Sequence, residues 1–137
     1  MTMTYTARGT LKAGGEARLQ GHGLDVAFDG SAGRTALPGP ADILAASLSA
    51  CLLKNVERFS HLLSFRYVAA AVDVDLERDE PPPRITKARY RLRIITDETA
   101  ERVELLHRNI KRSGTVGNTL AAACDVDGTV EVVAALD

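Results

Sequence analysis

The chain has 137 residues, 17 basic and 18 acidic side chains, and a net charge of −1. That length suits one domain able to bury a core without staples, and the near-neutral balance gives no field for attracting nucleic acid or anionic lipid. The N-terminal run Met1 to Arg8 lacks the apolar segment of a signal peptide, and the longest apolar stretch is interrupted by Asp42, Ser47, Ser49 and Lys54. A cytoplasmic protein with no membrane span is therefore expected. Two cysteines, Cys51 and Cys124, are not a disulfide framework in such a chain, so catalytic, redox or buried roles stay open.

Alternation from about Tyr5 to Lys12 predicts a strand, and Gly14-Gly15 a hairpin turn. Glu16 to His22 and Leu24 to Phe28 read as two further short strands, followed by the loop Asp29 to Gly33. Leu37-Pro-Gly-Pro40 is a stop-and-start signal, with a proline suited to the first turn of a helix. That helix is expected over about Ala41 to Leu63. Its first half is apolar nearly all round, which predicts burial on most sides, and its second half is only amphipathic.

Asp73, Asp75, Glu77 and Asp79 alternate along one predicted strand; Lys87, Arg89, Arg91 and Arg93 alternate along the next. Placing Asp79 opposite Lys87 across Pro81-Pro82-Pro83 pairs every acid with a base and sets Val72, Val74 and Leu76 opposite Ile94, Leu92 and Tyr90. The basic row is therefore read as a solvated, ion-paired face, not a nucleic-acid patch. Asp97 to Arg112 has acids early and bases late, with an apolar stripe at Ala100, Val103, Leu106 and Ile110, so a surface helix is expected. A short helix from about Thr115 to Ala123 follows, then Cys124, a kink at Asp127-Gly128 and a final strand through Val130 and Val132.

Most site chemistries find no support. His22, His61 and His107 lie in three different elements without a carboxylate cluster, so no metal is expected. Ser47 and Ser49 sit mid-helix without a nucleophile elbow. Gly21, Gly23, Gly30 and Gly33 lack the βαβ context of a phosphate-binding loop, so no cofactor is expected either, and Gly117-Asn118 suggests close packing.

The run Pro40-Ala-Asp-Ile-Leu-Ala-Ala-Ser-Leu-Ser-Ala-Cys51 resembles the cysteine-helix signature of the OsmC/Ohr family of thiol-dependent peroxidases. The element order, through to Gly114-Thr-Val-Gly-Asn-Thr-Leu120, is similar over nearly the whole chain. The resemblance implies an α+β domain in which an antiparallel sheet wraps a long buried cysteine-bearing helix, assembled as an intertwined homodimer with sites at the subunit interface. It implies that Cys51 attacks a hydroperoxide, that a second cysteine resolves it, that an arginine held by an acid activates it, and that an external thiol closes the cycle.

Several positions depart from the pattern. The family's second cysteine falls at about Gly114 here, and Cys124 lies about ten residues later. The acid is Asp42, one place nearer the cysteine than in the best-known members, where this chain has Ala41. Arg34 is the first choice for the arginine and Arg18 the second. Cys51 lies beyond the first helical turn, where the dipole acts, so a cation from elsewhere is needed for activation. Asp42 sits about 180° around the same helix and roughly 13 Å along it. Within one chain it can only cap the helix; it could orient an arginine only in a site shared between chains. The competing reading is a non-enzymatic dimer that binds a small hydrophobic ligand, with both cysteines structural. The apolar face from Ile43 to Leu53 exceeds what one sheet covers, so a two-fold partner is expected.

Overall fold

The computed structural model describes residues 1–137 and divides into two compact units, Met1–Leu44 and Ala45–Asp137. The architecture is α+β, as expected.

In the first unit, strands β1 (Ala7–Leu11), β2 (Glu16–Gly21) and β3 (Leu24–Asp29) form an antiparallel meander in the order β1-β2-β3. Gly14 and Gly15 turn the first hairpin at φ +103° and +107°, in the left-handed region that only glycine enters freely. The loop after β3 is organised by Asp29, whose carboxylate accepts from the Ser31 hydroxyl (2.6 Å), the Ser31 N–H (3.0 Å) and the Thr35 N–H (2.9 Å). Those bonds, Ser31 foremost, hold its carboxyl below the ordinary carboxylate range. Helix α1 (Pro40–Leu63) then begins with proline at its first position.

The second unit contains the rest of α1, strands β4 (Ala69–Asp79) and β5 (Arg84–Ile95), helices α2 (Ala100–Ser113) and α3 (Thr115–Ala121), and strand β6 (Asp125–Val132). Helix α1 stops where Ser64 turns left-handed at φ +49° and the Phe65 N–H returns 2.9 Å to the Ser60 carbonyl. Thr99 caps α2, its hydroxyl accepting from the Arg102 N–H, so that helix starts three residues after the expected Asp97. Strand β5 is central: β4 pairs with it antiparallel and β6 parallel. A parallel return needs a crossover, and α2 with α3 supply it. Ala88, Tyr90, Leu92 and Ile94 face inward from β5 to meet Leu48, Leu52, Val56 and Phe59 of α1 and Val103, Leu106 and Ile110 of α2, forming the core.

Two sequence expectations need correction. The β4–β5 hairpin is displaced by two residues from the expected register: Asp73 faces Arg91, Asp75 faces Arg89 and Glu77 faces Lys87. A bulge between Glu77 and Arg78 lets the ladder continue to Asp79–Arg84, and the Thr86 hydroxyl donates 2.8 Å to the Asp79 carboxylate. Because the shift is even, each side chain keeps its face. Arg91 and Arg93 both reach Asp73, Lys87 reaches Glu77, and Arg89 turns instead to Asp125 of β6 at 2.6 Å. The expected kink at Asp127-Gly128 is also absent: β6 runs through it, because Gly128 passes directly under the Tyr90 ring, where any β-carbon would overlap ring atoms.

Candidate functional site

Cys51 lies on α1 between Leu48 and Leu52 of the core stripe and is half-buried, not sealed among aliphatics. It opens on a cavity of about 70 Å³ in the second unit. Leu48, Leu52, Ile110, Ala121 and Val126 form apolar walls; Tyr90, Lys111, Gly114 and Gly117 complete the lining. A water needs about 10–15 Å³ in this measure, so there is room for a peroxide group beside the sulfur.

Two neighbours touch the sulfur. The buried Asn55 places its amide nitrogen 3.7 Å from Cys51 Sγ and 2.9 Å from the Cys51 carbonyl oxygen. Gly114, the residue that joins α2 to α3, packs so closely that a β-carbon there would lie 3.0 Å from Sγ. Position 114, about where the sequence resemblance would put a second cysteine, is thus beside Cys51, and it is occupied by the smallest residue. Its φ of −77° is open to any amino acid, so contact with the sulfur and with Asn55 is what a side chain there would meet.

The polar lining is itself tied down. The Tyr90 hydroxyl and His107 Nε2 are 2.7 Å apart, with the rings edge to face. Burial, helped by the Asp127 carboxylate, pushes the Tyr90 phenol up to about 12. Burial first, and then the Lys111 ammonium, lower His107 below the usual imidazole range. Lys111 Nζ is 2.9 Å from Asp127 Oδ1 and, with the Gly128 N–H, keeps that carboxyl below its ordinary range.

The other expected residues are distributed as follows. Cys124 is half-buried with a free thiol, its Sγ 3.2 Å from the Leu120 carbonyl; its neighbours Ala121 and Val126 line the Cys51 cavity. Asp42 accepts the Gly39 N–H at 2.9 Å, the returning half of a capping box at the start of α1. Arg34 is exposed and lines a groove of the first unit together with Asp29 and Asp42, without an ion pair to either. Arg18 is held by Asp25 at 2.8 Å. Ser49 donates to the Ala45 carbonyl, and Gly117 packs against Leu48. Asn55 was visible in the sequence as a polar residue one turn after Cys51 on an apolar stripe. Tyr90 and Lys111 had no such signal, because only the crossover brings them to α1.

A half-buried thiol on a core helix, opening on a small cavity inside an α+β fold, defines a class of cysteine-centred site. The chain belongs to the OsmC family: the family model for OsmC-like protein matches residues 31–128. Among solved structures, it is similar to an OsmC-like protein from Mycoplasma pneumoniae (15% identity, TM-score 0.88, covering 97% of this chain and 99% of that one). An OsmC-like protein of unknown function from Vibrio cholerae matches at 13% identity and TM-score 0.81, over 95% and 100% of the two chains. An organic hydroperoxide resistance protein OsmC from Legionella pneumophila matches at 16% and 0.77, over 96% and 100%. At these identities the likeness is one of fold. No curated protein matches the sequence significantly. No helix is long and apolar enough to cross a membrane.

Proposed function

We propose that this protein is a cytoplasmic thiol-dependent peroxidase that reduces organic or hydrogen peroxides through Cys51. The observation that carries the reading is the cavity of about 70 Å³ beside the Cys51 sulfur, in a fold shared with an organic hydroperoxide resistance protein. The Cys51 thiolate attacks the terminal oxygen of the hydroperoxide; the O–O bond breaks, an S–O bond forms, and the leaving alkoxide takes a proton to become an alcohol. The products are Cys51 sulfenic acid and alcohol, or water from hydrogen peroxide. A low-molecular-weight thiol condenses with the sulfenic acid to a mixed disulfide and water, and a second thiol releases Cys51 as the reductant leaves as its disulfide.

Cys124 stays outside this cycle, consistent with its hydrogen bond to Leu120 and with glycine at position 114. Arg34, free of ion pairs where Arg18 is not, is the arginine we assign to activation; Asp42 is assigned to the helix cap. The active form is a homodimer. Ala17 is the single buried apolar side chain of the first unit, and Leu11, Leu24 and Leu37 of that unit are exposed in the isolated chain, apolar side chains that a second copy would cover.

The cavity's apolar walls also favour the alternative, a non-enzymatic protein that binds a small hydrophobic ligand. Peroxide consumption with dithiothreitol as reductant separates the two readings. Loss in Cys51→Ser with retention in Cys124→Ser supports the one-cysteine cycle. Loss in both assigns resolution to Cys124, and no turnover by the native protein overturns the peroxidase reading. A monomer at micromolar concentration in light scattering overturns the dimer.

A further inference from the structure

We infer that Asn55 is the hydrogen-bond donor that positions the Cys51 sulfur and supports its anionic form, an assignment that rests on Cys51 being the reacting thiol. Asn55 follows Cys51 by one helical turn and is 7% exposed, on a stripe otherwise made of Leu48, Leu52, Val56 and Phe59. An amide at a buried apolar position is destabilising unless its polar atoms are used. One use is visible: an atom of the Asn55 amide lies 2.9 Å from the Cys51 carbonyl oxygen, which can only accept. That atom must therefore be the nitrogen. The same nitrogen carries a second N–H, and its other neighbour is Cys51 Sγ at 3.7 Å.

The bond to the carbonyl alone would be ordinary back-bonding. Asn109 makes it to Leu105 in α2, and Ser49 and Ser60 make it to Ala45 and Val56 in α1. Asn55 differs in having two donors on one nitrogen and a sulfur within reach of the second. Gly114 closes the other side, where a β-carbon would stand 3.4 Å from the Asn55 nitrogen and 3.0 Å from Sγ. Sulfur and amide are thus confined together. A second N–H aimed at sulfur stabilises negative charge there and fixes the rotamer from which the sulfur meets a ligand in the cavity.

Serine at position 55 separates the two roles. A hydroxyl has one hydrogen, and in this helix Ser49 and Ser60 both spend it on the i−4 carbonyl. Asn55→Ser therefore keeps the backbone bond and loses the donor to sulfur. The readout is the iodoacetamide rate of Cys51 at pH 7.5, followed by site-resolved mass spectrometry, with Cys124 in the same molecule as reference. Asn55→Ser is expected to slow Cys51 alkylation about tenfold, the size of one charge-assisted hydrogen bond, while the Cys124 rate is unchanged. Asn55→Asp, which replaces both donors by a carboxylate, is expected to slow it further. An unchanged Cys51 rate in a folded Asn55→Ser protein overturns the assignment. Should that variant not fold, the same comparison is read from Asn55→Asp. Alkylation needs no peroxide, so a slowed Cys51 without peroxide turnover in the native protein sustains the role of Asn55 and removes only the peroxidase reading.

Discussion

Position 114 offers a direct test of the geometry around Cys51. A β-carbon built there stands 3.0 Å from Cys51 Sγ. With an S–S bond of about 2.05 Å and ordinary angles at sulfur, each β-carbon of a disulfide lies about 3 Å from the opposite sulfur. Gly114→Cys should therefore close a disulfide with Cys51 without moving the backbone. The loop enclosed, roughly 60 residues, gives about 4 kcal/mol from chain entropy. For a domain of this size that is an upshift in Tm of about 10–15 °C, less whatever strain the bridge carries. Gly114→Ala supplies the contrast, because its methyl group gains no bond and must crowd Sγ, costing about 1 kcal/mol. Thiol titration in denaturant after air oxidation should find one free thiol in Gly114→Cys, where the native protein has two. Peptide mapping should link position 114 to Cys51, and the gain in Tm should vanish with reductant. Three free thiols, or a bridge to Cys124, would refute the placement of Gly114 against the sulfur.

Three further outcomes follow from the packing and charges. His107 is held below the usual imidazole range, so as pH falls below about 6.5 the unfolded chain takes up a proton that the folded chain refuses. Stability should drop through that window in thermal melts, and His107→Gln should flatten the dependence; an unaltered slope would contradict the assignment. Gly128→Ala sets a methyl group into the Tyr90 ring and should cost about 3 kcal/mol, most of it recovered when combined with Tyr90→Leu, as a double-mutant cycle in urea would show. Asp42→Ala should cost about 0.5–1 kcal/mol through loss of the Gly39 bond and the favourable charge at the start of α1, seen as a lower urea midpoint.

The hairpin shows which part of a fold a sequence encodes strongly. Alternating acids and bases on β4 and β5 determine which face each side chain takes, and registers two residues apart satisfy that rule equally. The choice between them was made by the bulge beside Glu77 and the bond from Thr86 to Asp79, neither of which leaves a periodic trace. Asp127-Gly128 carried a turn signal in isolation, yet Gly128 is there for the Tyr90 ring, a residue far away in the chain. The start of α1 was legible because proline and Asp42 act within one turn. The site was legible only along that helix: Cys51 stood out by its setting, whereas Gly114, Lys111 and Tyr90 reach it through the β5-α2-α3-β6 crossover.

The proposed function requires that Cys51 be the thiol oxidised by peroxide. Stoichiometric cumene hydroperoxide or hydrogen peroxide, quenched within seconds by dimedone and mapped by mass spectrometry, tests it most directly. A sulfenic-acid adduct is expected on Cys51, faster than any modification of Cys124. Labelling of Cys124 first, or two unlabelled thiols after peroxide treatment, would contradict it.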